Sequence, residues 1–250
     1  MFRLVVITTV IVLLIAIGIA LIEDVRYVSS PKPKYLGSIQ DRCPATSNEF
    51  GRYTKPLPVL DYSWVPSSKL FNYTALKQWD FKSVSTARYF IAAAIADFNY
   101  VAHGFVYVID RSSRDKSFYQ YESRSLLART IQDQARSSID GCTHFYHSSS
   151  EYIRLCYDQT EKAYRIDLNV PMKNNVQISV DCKINYSNEK DRSMVLLYPV
   201  ENDRPAYTHK IAGLLAQGHI NIGNEKASLD GISSMDWTLA YSERVSQWQW

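Results

Sequence analysis

The chain has 250 residues, a formal net charge of +3 and 46% hydrophobic residues. That length allows one large domain or two small ones with a real core. The small, scattered basic excess argues against a nucleic-acid partner. Tyrosine is abundant, at 18 against 9 glycines and 9 prolines, which favours β structure, where flat rings pack on a pleated surface.

The first element is "LVVITTVIVLLIAIGIALI", Leu4 to Ile22, which carries no charge. Its length suits a helix crossing a bilayer and exceeds a usual signal-peptide core of roughly 7–15 residues. We therefore expect a membrane anchor over residues 1–25, with a cleaved signal ending near Gly18 and Ala20 as the alternative. Arg3 is the only charge before the segment, which favours a cytoplasmic N-terminus and a lumenal or extracellular body. The four cysteines, Cys43, Cys142, Cys156 and Cys182, suit two disulfides in such a compartment, with three pairings open. Two sequons begin at Asn72 and Asn185.

Residues 26–55 read as a stalk, polar and Pro-bearing in "YVSSPKPKYLGSIQ". A looser region with three prolines follows, up to about Leu76. From Trp79 the pattern turns to strands, in a β-rich domain placed at 56–250. "RYFIAAAIADF" and "GFVYVIDR", separated by "NYVAHG", are read as a hairpin, although the alanines fit a helix equally well by period. "SLLARTIQDQ" is ambiguous. In "AYRIDLNVPM" and "VQISVDCKINY" apolar and polar residues alternate strictly, with "KNN" as the turn between them. "MVLLYPV" is a further strand. Strands following strands with short turns predict an antiparallel barrel or sandwich.

No phosphate loop, Cys-x-x-Cys or zincin motif is present. "CTHFYH" offers Cys142, His144 and His147, too few for a metal centre, so no metal and no cofactor are expected. His209 and His219 read as half-exposed strand residues, with catalysis as the lesser alternative because no partner carboxylate is in evidence. Asp236 stands beside Trp237. Aromatic surroundings would raise its pKa and make it a proton donor. The competing role is a backbone cap at a turn.

The segment "RPAYTHKIAGLLAQGHINIG" with "SLDGISSMDWTLAYSERVSQWQW" resembles the family catalogued as domain of unknown function 2804. Its run of tyrosine, threonine and lysine, later glycine, aspartate–aromatic pair and closing tryptophan pair fall here on Tyr207, Thr208, Lys210, Gly218, Asp236, Trp237, Trp248 and Trp250. The upstream "KQWDFKSVSTARYFIAAAIADFNYVAHGFVYVID" is similar to the family's early section, so the resemblance runs from Pro56 to Trp250. Leu239-Ala240-Tyr241 stands where the family has glycine. In the family, more strands follow the tryptophan pair, so the β domain is expected to be incomplete at its C-terminus. The resemblance implies a shape similar to the lipocalin-like double barrels of carotenoid hydratases and tocopherol cyclases.

The expected fold is therefore an antiparallel lipocalin-like barrel, or half of a double barrel, behind an anchor. The expected function is binding a hydrophobic small molecule through Lys210, Trp237, Trp248 and Trp250. The first alternative is a hydratase- or cyclase-like enzyme with Asp236 as its acid. The second is a structural or partner-binding protein without a ligand.

Overall fold

The computed structural model describes residues 34–37, 49–65, 74–112, 117–173, 175–186, 193–200 and 204–241. Leu4–Ile22, Cys43, Asn72, Trp248 and Trp250 lie outside them. No helix among the described residues is long and apolar enough to cross a membrane.

Fifteen strands follow one another: β1 (Lys34–Gly37), β2 (Gly51–Tyr53), β3 (Leu76–Ser85), β4 (Tyr89–Asp97), β5 (Val101–Asp110), β6 (Phe118–Leu126), β7 (Ile131–Asp133), β8 (Gly141–Ser148), β9 (Glu151–Asp158), β10 (Ala163–Pro171), β11 (Gln177–Asn185), β12 (Ser193–Val200), β13 (Arg204–Ile222), β14 (Glu225–Ser228) and β15 (Gly231–Tyr241). They form one sheet in the order β6-β5-β4-β3-β15-β13-β11-β10-β9-β8-β7, with β12 and β14 also paired to β13. All pairings are antiparallel except β1 with β2, which is parallel; β2 joins the sheet through β12. Part of the segment read as a stalk thus belongs to the sheet edge.

The alternating stretches behave as their pattern dictates. Tyr164, Ile166, Leu168 and Val170 of β10 are buried, and their register partners Ile184, Cys182, Val180 and Ile178 of β11 are buried with them. Asn175, at φ 61, makes the turn between the two strands, since asparagine tolerates left-handed backbone. The alanine run is a strand, as expected. Ala92, Ala94 and Ala96 face the outside of the sheet between the ring-bearing strands β3 and β5. Their small side chains leave room for Trp79 and Phe105, whose rings lie 5.7 Å apart across β4.

The sheet curls until its ends face each other. An ideal Cβ on Gly104 of β5 would sit 2.9 Å from the Phe145 ring of β8, so that glycine is what lets the two walls approach. Side chains bridge the same gap: Tyr121 donates to Glu151 at 3.0 Å, and Ser123 meets His147 at 2.9 Å. The paired path ends at β6 and β7, so the described residues form a curled antiparallel half-barrel. Its concave interior is the hydrophobic core.

Candidate functional site in the concave interior

Inside the curl, the even-numbered residues of β3 point inward: Gln78, Asp80, Lys82 and Val84, all buried. Two of them are charged. Lys82 Nζ donates to Asp80 Oδ1 at 2.6 Å, with side-chain exposures of only 3% and 2%. Lys82 also lies over the Tyr164 ring, 5.5 Å from its centroid. Burial pushes the Asp80 carboxyl above its ordinary range, against the pull of Lys82 and of a hydrogen bond with Thr143. Burial likewise lowers the Lys82 ammonium, against the pull of Asp80. Burial thus drives both groups toward their neutral forms while their mutual attraction opposes it.

A cross-sheet row continues from this pair. Asp80 is opposite Trp237 of β15, and Trp237 is opposite His209 of β13. His209 has no exposure. Its Nδ1 lies 2.8 Å from Ser138 Oγ and its Nε2 lies 2.6 Å from Ser193 Oγ. Burial drops its pKa to about 3, so the imidazole is neutral. Tyr207 meets the Trp237 ring edge-on at 5.9 Å, and Tyr157, Tyr164 and Tyr186 form a second aromatic cluster that reaches His209.

Two segments without strand structure cover this row. In the first, Leu57 N–H donates to Tyr207 Oη at 3.2 Å, and Tyr62 donates to the Leu239 carbonyl at 2.9 Å. In the second, Ser138 bonds His209, the Ala135 carbonyl accepts from Gln78 at 3.2 Å, and Gln134 donates to the Asp97 carboxylate. Individual hydrogen bonds rather than a ladder hold both segments. Such covers open at lower free energy than paired strands.

The residues singled out in the sequence separate. Trp237 is inside, 1% exposed. Asp236 and Lys210 are ion-paired on the convex face, their side chains 25% and 45% exposed, with Thr208 and Thr238 beside the carboxylate. They do not meet the interior row. Asn185 is exposed at the end of β11. Cys142 and Cys156 are bonded across β8 and β9, and Cys182 is a buried free thiol, raised to about 12 by burial. Among the described residues no His/Cys/Asp/Glu group could hold a metal. His209 departs from the half-exposed placement expected of it, while His219 is only partly buried.

The reason is a bulge. The β13–β15 register shifts between Ala212 and Leu214, at Gly213, whose φ is 78. A glycine in the left-handed region lets one extra residue into the strand and reverses its alternation. Before it, odd-numbered Tyr207, His209 and Ile211 face inward; beyond it, even-numbered Leu214, Ala216 and Ile220 do. Asp80 and Lys82 escaped notice for a related reason. In "WDFK" alternation invites placing the aromatics inside, yet Trp79 and Phe81 face out. Only the charges at both even positions beside an apolar neighbouring strand hinted otherwise.

No curated protein matches the chain in sequence. Among solved structures, it is similar to a protein described as an AttH from Nitrosomonas europaea, at 11% identity over 74% of this chain and 57% of that one, TM-score 0.48. It is also similar to kievitone hydratase from Nectria haematococca, at 13% identity over 67% of this chain and 48% of that one, TM-score 0.38. The chain thus spans about half the length of these two structures. The sequence profile described as domain of unknown function DUF2804 matches residues 45–250, most of the chain, which therefore belongs to that family.

Proposed function

We propose that the concave interior binds a hydrophobic small molecule, received between the curled walls when the cover segments open. One observation carries this reading: a buried Asp80–Lys82 ion pair in a mainly aliphatic and aromatic interior. Such a pair contributes little or nothing to stability relative to apolar residues of the same volume, because desolvation offsets the attraction. A few polar groups within an apolar enclosure are what orients a ligand. The test is titration of the full chain with N-phenyl-1-naphthylamine, a neutral apolar dye. Saturable blue-shifted emission near one dye per chain is expected. A folded protein with no saturable signal would sink the reading.

The raised Asp80 carboxyl favours a second, enzymatic, hydratase-like reading, in which Asp80 rather than Asp236 protonates a double bond of an isoprenoid or lipid, and water adds to the resulting cation and returns its proton to the Asp80 carboxylate. Asp80→Asn would then abolish deuterium uptake from heavy water into the bound alkene, and Asp236→Asn would leave it. We also propose that Leu4–Ile22 tethers the domain on the lumenal or extracellular side of a membrane. The Cys142–Cys156 bond supports an oxidising compartment.

A further inference from the structure

Six buried side-chain polar atoms among the described residues have no hydrogen-bond partner, and two of them, Tyr164 Oη and Trp237 Nε1, belong to neighbours of Lys82 and Asp80 in the interior. Both residues are 1% exposed. Tyr164 lies under the Lys82 ammonium, and Trp237 is the register partner of Asp80. Leaving such groups unsatisfied is costly, and native proteins rarely do so without a reason. An indole N–H can only donate. Whatever completes the site must therefore bring an acceptor.

The charge in the chamber narrows the class further. Asp80 and Lys82 sum to zero whether or not the proton passes between them. His209 is neutral, bonded to Ser138 and Ser193. Among the described residues of this interior no cation is left over to balance an incoming carboxylate, and burying an unpaired anion is prohibitive. A neutral oxygen carries no such penalty.

We propose that the ligand is a neutral oxygenated hydrophobe, an apolar body bearing a carbonyl-type acceptor that the Tyr164 hydroxyl and the Trp237 indole N–H receive. This rests on the interior-binding reading and deepens it. The Asp80–Lys82 pair then stands beside the acceptor as a polar wall without net charge, and the remaining lining takes the hydrocarbon.

Three probes of matched length test it on the full chain by displacement of N-phenyl-1-naphthylamine: 2-tridecanone, tridecane and tridecanoate. The ketone is expected to compete roughly tenfold better than the alkane, the worth of one to two ordinary hydrogen bonds, and better than the carboxylate. Tyr164→Phe and Trp237→Phe each narrow the gap between ketone and alkane by about three- to tenfold. Because the Tyr164 hydroxyl has no hydrogen-bond partner among the described residues, Tyr164→Phe keeps or raises the melting temperature. Equal competition by ketone and alkane, with the dye still binding saturably, overturns the inference and leaves interior binding standing; a lone buried water would give that result. Preference for the carboxylate also overturns it, as does a marked loss of stability in Tyr164→Phe. Failure of the dye itself to bind removes both readings. Should Trp237→Phe fail to fold, the comparison of ketone with alkane on the unaltered chain still decides.

Discussion

At the scale of single residues, the interior charges make the sharpest claim. Removing one partner of a buried pair strands the other. Asp80→Asn or Lys82→Met alone should lower the unfolding free energy by about 3–5 kcal/mol in urea. The double replacement Asp80→Leu with Lys82→Met should recover most of that loss. A double variant as unstable as the sum of the singles would show that the pair stabilises the fold. His209 supplies a second test. Its folded pKa of about 3 lies below the ordinary value near 6.5, so the folded state binds fewer protons than the unfolded state between those limits. The group's contribution is complete above pH 6.5 and is lost as pH falls toward 3. That amounts to about 1.4 kcal/mol per pH unit, or about 2 kcal/mol between pH 6.5 and 5. His209→Gln should flatten this part of the urea-midpoint profile relative to the unaltered chain. Neither role was legible in the sequence. A strand's alternation tells which residues share a face but not which face is inside. At β3, flanked by the alanines of β4, the aromatics took the outside.

Among the elements, strictly alternating pairs such as β10 and β11 were readable because every second residue is apolar over nine positions of each strand. The long β13 was not, because one glycine splits its 19 residues into halves of opposite phase. Close approach governs Gly218 of the same strand, whose ideal Cβ would lie 2.2 Å from the Asp181 carbonyl oxygen of β11. Backbone cannot swing aside as a side chain does. Gly218→Ala should destabilise the chain by about 1–3 kcal/mol, visible in thermal melts. An unchanged melting temperature would mean that β11 and β13 can part without cost. The β8–β9 hairpin carries its own test. Cys142 and Cys156 are 14 residues apart, and a crosslink closing a loop of that size contributes about 3 kcal/mol at most in the chain-entropy account. Cys142→Ser with Cys156→Ser should lower the urea midpoint accordingly, and a reducing agent should do the same to the unaltered chain.

For the whole molecule, the antiparallel class was evident from strands and turns in succession, whereas the strand order was not. No local signal says that β3 is a neighbour of β15, because that pairing joins residues more than 140 positions apart, such as Ser85 and Ile232. The tether also belongs to this scale. With the domain across a membrane, the exposed Asn185 would be open to a glycosyltransferase. Endoglycosidase treatment of the endogenous protein should then remove a glycan mass that Asn185→Gln lowers by one glycan. An Asn185 that stays unmodified in a protein shown to be lumenal would limit the sequon to a chance motif.

The place of β15 has a consequence for how the protein is made. It is inserted between β3 and β13, yet it emerges from the ribosome after both. At 5–20 residues per second, β3 waits on the order of ten to thirty seconds for its neighbour. Throughout that interval β3 presents an open edge, joined at its end by that of β13, and each is a template for pairing with another chain. Translational pausing before residue 231 or loss of a holding chaperone should therefore reduce yield far more than equilibrium stability would suggest.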